Sequence, residues 1–131
     1  SPMGDLQNFA VQMCDAIGKN TGHIAAVSDR DSIIALAGAP RRELLDKPNS
    51  ADLEQIMERR KCYRYTPGSA KLRAAETADR YHRGIAAPIV SQGDLMGCVM
   101  LLMDEHEQAP GEGDQRLAQT VAGFLAKQME N

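Results

Sequence analysis

The sequence predicts an α+β sandwich, in which one antiparallel sheet of five to six strands has helices on both faces. The stretch from Ile85 to Asp104 contains two apolar runs around the polar turn Ser91-Gln92-Gly93-Asp94, a pattern typical of a β-hairpin. Both runs are almost entirely apolar instead of alternating, so we expect both faces of these strands to be covered. Apolar residues at helical spacing near both chain ends supply part of that cover.

Length and composition favour one cytoplasmic domain spanning residues 1–131. The chain has 131 residues and 43% hydrophobic residues, enough for a core without disulfides. No apolar run approaches the roughly 18 residues that span a bilayer, and no signal peptide opens the chain. The net charge of -3 argues against nucleic-acid binding by this domain, because such domains usually carry a basic excess.

The first elements are a helix and a hairpin. Apolar spacing predicts a helix from Met3 to Ile17, and Gly18 is placed to end it. We expect strands at His23–Val27 and Ser32–Ala37, joined by the polar turn Ser28-Asp29-Arg30-Asp31.

The middle of the chain is predicted to be mostly helical. A short turn at Arg41–Asp46 precedes a helix that Asn49 or Ser50 can cap. Cys62–Tyr65 is a short strand candidate. Thr66-Pro67-Gly68-Ser69 breaks that strand. Residues 70–82 are rich in alanine and charge but lack an apolar stripe, so we expect a mobile, partly helical segment there.

The chain closes with the long hairpin, a polar linker over 105–113 and a helix that Asp114 can cap. We expect the terminal helices on one face of the sheet, with the middle helix and the mobile segment on the other. A cleft under such a cover is where small molecules usually bind.

Three stretches resemble a known family. Ala87–Val90, followed by Gly93 and then Met96–Val99, is similar to the hairpin pattern of GAF domains, the small-molecule sensor modules of many regulators. Gly22–Asp31 and the tail Thr120–Glu130 resemble the C-terminal domain family of stage V sporulation protein T. The resemblance covers nearly the whole chain and is weakest at residues 66–82.

This resemblance implies a regulatory domain from a transcription regulator of spore-forming bacteria. The parent protein would bind DNA only through an AbrB-type swapped-hairpin domain on the N-terminal side, which this chain lacks. The module would then sense an unknown small-molecule effector and assemble the regulator. It implies neither an enzyme nor a cofactor.

The best candidates for effector binding combine cationic groups with amphipathic rings around the mobile segment. They are Arg60, Tyr63, Tyr65, His82 and Arg83. An anionic or amide-bearing small molecule would suit such a cluster. The alternative is that the arginines are surface charges and the tyrosines lie at the edge of the core.

The terminal helices also predict a homodimer or a higher homo-oligomer. Phe9 and Met13 on the first helix, with Phe124 and Leu125 on the last, would pack across a two-fold axis as a four-helix bundle. The alternative is that these residues are all used in contacts within one chain. A pure dimerisation module without a ligand also remains open.

Three cysteines raise the possibility of an enzyme. Cys14, Cys62 and Cys98 are odd in number and widely spaced, so they do not indicate a disulfide framework. Some GAF-type proteins reduce free methionine sulfoxide through cysteines, and Cys62 with Cys98 would be the pair here. Because no C-x-x-C motif is present, we expect buried structural cysteines instead.

One acidic run invites a metal hypothesis. Asp104-Glu105-His106-Glu107 contains several possible ligands, but acidic residues after a strand are typical of a solvated loop. No second histidine has ligand spacing, so we expect no metal site.

Overall fold

The computed structural model describes residues 2–106 and 108–130 and contains one five-stranded antiparallel sheet. The strands are β1 Ile24–Ser28, β2 Ile33–Ala37, β3 Tyr63–Arg64, β4 His82–Ser91 and β5 Asp94–Met103. The helices are α1 Pro2–Thr21, α2 Arg41–Leu44, α3 Ala51–Arg59 and α4 Glu112–Gln128. The strand order is β2-β1-β5-β4-β3, so the long hairpin lies at the centre and the predicted fold class is confirmed.

The central hairpin follows the predicted pattern. Gln92 and Gly93 form its tight turn with φ angles of 51° and 84°, which match the twist of the flanking strands. Every β5 residue from Gly97 to Met103 is buried, as expected for a strand covered on both faces. Gly97 is required here because a Cβ would lie 2.0 Å from the backbone oxygen of Ser28.

The two terminal helices cover one face of the sheet, as predicted. Each contributes one stripe of small and branched side chains to this first core. The stripes are Leu6, Ala10, Cys14 and Ile17 from α1, with Ala118, Val121, Ala122 and Leu125 from α4.

The end of α1 differs from the prediction. The helix runs through Gly18 and ends at Thr21, because the left-handed position that stops it is Gly22, with φ of 76°. Gly18 instead lies against β2, where an added Cβ would meet the Ala37 Cβ at 3.3 Å.

The start of α4 also differs in detail. Gly111, not Asp114, occupies the capping position, and Asp114 Oδ2 accepts a hydrogen bond from the Gly111 N–H at 2.9 Å. Asp114 Oδ1 lies 2.7 Å from His23 Nε2, so this carboxylate joins α4 to the start of β1.

The second face is covered by α2, α3 and the segment before β4. Residues 66–81, all of them described, form turns and bends, so the predicted helical content is wrong. Ala74 and Ala75 are fully buried, and the Ala74 N–H donates to the Tyr81 carbonyl at 2.9 Å. Alanine serves here as a small side chain that lets the backbone lie close to the core, and this packing overrides its helix propensity.

Candidate functional site

A fully buried arginine anchors α3 to the sheet. Arg83 Nη1 donates to Ser50 Oγ at 3.0 Å, and Nη2 lies 2.8 Å from Asp52 Oδ2. Ser50 is the N-cap of α3, where its Oγ accepts from the Leu53 N–H at 3.3 Å and also contacts the Asp52 carboxylate. One guanidinium therefore holds both the cap and the first turn of the helix.

The electrostatics of this cluster favour an ionised aspartate. Burial opposes ionisation of Asp52, but hydrogen bonds from Arg83 and Ser50 outweigh burial and hold its pKa below the usual value. Burial raises the pKa of the Tyr63 hydroxyl, and the Arg83 charge partly offsets that rise. Tyr63 packs against the second core, and the charges of Arg83 and Asp52 both act on the pKa of its hydroxyl, so Tyr63 lies near this ion pair. Tyr65 is buried at the edge of the sheet.

The other two predicted members lie elsewhere. Arg60 takes the left-handed position after α3, with φ of 57°, and its Nη1 donates to the Gly93 carbonyl at 2.7 Å. His82 precedes Arg83 in β4, so strand alternation directs its side chain to the opposite face. Burial and the charges of Lys71 and Arg73 lower the pKa of His82. The predicted five-residue site is therefore divided.

The partners of Arg83 were not predicted from the sequence. Ser50 was recognised only as a possible cap, and Asp52 was not selected as a partner. A serine cap followed by an acidic residue two positions later was the available signal, but it gave no indication of which basic residue the fold would bring there.

An open groove of about 500 Å³ lies beside this cluster. It separates the start of α3 from residues 73–76, and the Glu76 N–H donates to the Pro48 carbonyl at 3.1 Å. Its polar lining consists of Asn49, Ser50, Asp52, Glu54, Arg73 and Glu76. Ser50 and Asp52 therefore contact the buried Arg83 on one side and line this solvent-accessible groove on the other.

A second surface feature is an aromatic pair on the two terminal helices. The rings of Phe9 and Phe124 meet edge to face, with centroids 6.0 Å apart and planes at 83°. Phe124 remains 39% exposed, and Met13 is half-buried. Leu125 is fully buried in the core beneath α4, so its prediction as an interface residue is wrong.

Burial raises the thiol pKa of all three cysteines, which disfavours the reactive thiolate. Burial raises the pKa of Cys14 to about 12, with Asp15 adding to the shift, and burial also raises the pKa of Cys98. Cys62, directly before β3, packs against the first core, whereas Cys98 on β5 lies in the second core. This arrangement does not support thiol exchange between Cys62 and Cys98.

The acidic run after β5 forms local contacts. Asp104 accepts a hydrogen bond from the His106 N–H at 2.8 Å, and Glu105 lies 3.4 Å from Arg80. Glu107, the last residue of the run, lies outside the described residues. Within the described ranges, no group of three or more His, Cys, Asp or Glu side chains is arranged to hold a metal ion. No described helix is long and apolar enough to cross a membrane.

Comparison with known proteins relates the chain to one regulator family. A family model described as "Stage V sporulation protein T C-terminal, transcription factor" matches residues 5–130. Stage V sporulation protein T of Bacillus subtilis (strain 168) is 32% identical over 130 residues, which cover 99% of this chain and 72% of that protein.

Solved structures support the fold. A GAF domain/HD domain protein from Geobacter sulfurreducens superposes with a TM-score of 0.73 at 16% identity, covering 97% of this chain and 93% of that one. A type II free methionine-R-sulfoxide reductase from Thermoplasma acidophilum superposes with a TM-score of 0.65 at 11% identity, covering 98% of this chain and 94% of that one. These low identities establish a shared GAF-type architecture and no shared chemistry. The sequence matches go further, and the chain belongs to the family of stage V sporulation protein T C-terminal domains.

Proposed function

We propose that this chain is the regulatory and assembly domain of a sporulation transcription factor. Its helix pair joins two copies, and a small-molecule effector modulates a DNA-binding domain on the N-terminal side. The observation that carries the assembly role is Phe124, a large aromatic residue that stays 39% exposed although its ring packs on Phe9.

The helix pair provides a suitable interface between two copies. Phe9 and Met13 are only partly buried against the first core, and Phe124 is 39% exposed, so these side chains leave apolar surface accessible on the helix pair. Leu125 is fully buried within the chain and is not available for such a contact. Two such helix pairs related by a two-fold axis would bury the aromatic surface as a four-helix bundle. Because α1 leads the chain, the same bundle would fix the spacing of two DNA-binding domains.

Sedimentation velocity tests this assembly. We expect the unmodified chain to sediment as a dimer and the Phe124→Asp variant as a folded monomer, because a carboxylate would be desolvated in the seam. Val11→Asp is the matched control. Val11 is 38% exposed on α1, but it lies two residues, or about 200°, around the helix from Phe9.

A monomeric unmodified chain would contradict the proposal, as would equal dissociation by both substitutions. Circular dichroism of each variant separates dissociation from unfolding.

Effector sensing is supported by the anchor of α3. The contact between Arg83 and Asp52 holds a helix that contributes Leu53 and Met57 to the second core, and the Asp52 side chain is 40% exposed at the groove. A molecule that binds one state of this contact more tightly than another would shift the population of the two. Thermal unfolding with candidate ligands tests the proposal, since a ligand at 100 times its dissociation constant adds about 2.7 kcal/mol.

A further inference from the structure

Helix α3 rests on the sheet through few buried side chains. Only Leu53 and Met57 of its nine residues are buried, and both belong to the second core. A groove of about 410 Å³ lies between one side of the helix and the turn after β1. The groove of about 500 Å³ borders its first turn. A helix this short is marginal in water on its own, so α3 depends on its contacts with the sheet.

Arginine side chains hold the two ends of α3. At the first turn, the guanidinium of Arg83 contacts Ser50 and Asp52. After the last turn, Arg60 Nη1 donates to the Gly93 carbonyl at 2.7 Å. Both attachments are polar, and Arg60 and part of the Asp52 side chain are exposed to water. Hydration therefore competes with both attachments.

The attached position of α3 has two unfavourable features. Arg83 is fully buried, yet none of the described residues accepts a hydrogen bond from its Nε. A buried charged donor without an acceptor costs free energy that water would recover once the helix leaves the sheet. Arg60 has a φ of 57°, a left-handed conformation that is unfavourable for a residue with a Cβ. Release of α3 relieves both, which brings the attached and released states closer in free energy.

We propose that α3, residues Ala51–Arg59, is a lid over the second core that opens while the sheet and the first core stay folded. Once released, the segment loses its helical structure because it is too short to keep it in water. Such local opening requires less free energy than global unfolding, since one element leaves and the rest stays packed. As a regulatory device the lid rests on the proposed effector sensing: opening uncovers Arg83, and a molecule that binds one state more tightly shifts the balance between the two.

The two cores each contain a buried thiol, and these thiols report opening separately. Cys98 lies in the second core and Cys14 in the first, and both are almost completely buried. Burial raises the pKa of Cys98, and the charge of Arg83 partly offsets that rise, so this thiol lies near the anchor of α3. Release of α3 therefore exposes Cys98, whereas Cys14, in a core to which α3 contributes no side chain, stays buried.

Labelling with a thiol reagent under native conditions tests the lid, with each cysteine followed separately by peptide mass spectrometry. We expect Cys98 to react faster than Cys14. Its labelling rate should also depend less steeply on denaturant concentration, because release of one helix exposes less surface than global unfolding.

A truncation in the first core separates local from global opening. Leu125→Ala destabilises the first core, so it should speed labelling of Cys14 at least about thirty-fold. It should leave the labelling rate of Cys98 within about two-fold, because the attached and released states of α3 share the same first core. Val121→Ala, a smaller truncation in that core, takes its place if Leu125→Ala does not fold.

A substitution at the anchor tests what holds the lid. Asp52→Ala removes the counter-charge of Arg83 and should speed labelling of Cys98 about a hundred-fold. Glu54→Ala is the matched control, because it removes an acidic residue from the same helical turn without touching Arg83. It should speed labelling of Cys98 by about five-fold at most.

Three results would overturn the inference. They are slower labelling of Cys98 than of Cys14, equal acceleration of both thiols by Leu125→Ala, and equal acceleration of Cys98 by Asp52→Ala and Glu54→Ala. None of these measurements involves a ligand. A lid that opens in a chain that binds no effector would keep the inference and remove the sensing role, and effector binding without local opening would do the reverse.

Discussion

Removing the carboxylate of Asp52 is expected to destabilise the fold more than removing the guanidinium of Arg83, although the two form one ion pair. The asymmetry follows from burial. Arg83 is fully buried, whereas the Asp52 side chain is 40% exposed. The partner that stays behind is therefore a buried charge in one variant and a solvated charge in the other.

The magnitudes follow from that difference. Asp52→Ala leaves the Arg83 guanidinium without a counter-charge, which costs about 3–5 kcal/mol when a buried pair is broken. The lower end, about 3 kcal/mol, applies here because water already reaches the aspartate side of the pair. Arg83→Met leaves a carboxylate that water can solvate and places an apolar chain in the core, so we expect stability within about 1 kcal/mol of the unmodified chain.

Denaturant unfolding at neutral pH measures both variants. Glu54→Ala is the control for the helix dipole, because it removes another acidic residue from the first turn of α3 without touching Arg83, and should cost about 0.3–1 kcal/mol. Equal losses for Asp52→Ala and Arg83→Met, or a larger loss for Arg83→Met, would refute the reasoning.

Three further predictions concern stability and reactivity. The folded-state pKa of Asp52 is lowered, so its contribution to stability is present above the ordinary aspartate pKa of about 3.9 and is lost as the pH falls through the lower folded value. The free energy of unfolding, measured as the pH is lowered, should therefore fall less steeply for Asp52→Ala than for the unmodified chain. Gly97→Ala should lower the free energy of unfolding by at least about 3 kcal/mol, because the new Cβ would overlap the Ser28 backbone. Gly123→Ala, in open space on α4, should raise it by about 1 kcal/mol. Similar unfolding midpoints for the two variants would contradict the close approach of Gly97 to Ser28. Mass spectrometry after brief treatment of the native chain with a thiol reagent should find Cys62 labelled before the two buried cysteines, and early labelling of a buried cysteine would show that its core opens.

The architecture was predictable because its signals are local. The two apolar runs around Gly93 fixed the central hairpin, and helical spacing fixed α1 and α4. The errors lie where packing competes with local preference. The first helix continues through Gly18 because the residue with the left-handed conformation that ends it is Gly22. Ala74 and Ala75 are buried in turns instead of a helix, although alanine favours helices.

The site was less predictable because it depends on contacts distant in sequence. Arg83 was selected as a candidate for effector binding, and the partners that the structure gives it lie 31 and 33 positions earlier. Periodicity does not reveal which charges a crossover brings together. It also does not distinguish Phe124 from Leu125, adjacent on α4, of which one is exposed and the other fully buried.

The most direct test of the account is whether the α1–α4 surface is the seam between two copies. Phe124→Cys in a Cys62→Ser background, treated with a short bis-maleimide linker, should yield a covalent dimer. Val11→Cys in the same background should stay monomeric, because that position faces away from the aromatic pair. A monomeric Phe124→Cys product, or equal linkage at both positions, would contradict the assembly role.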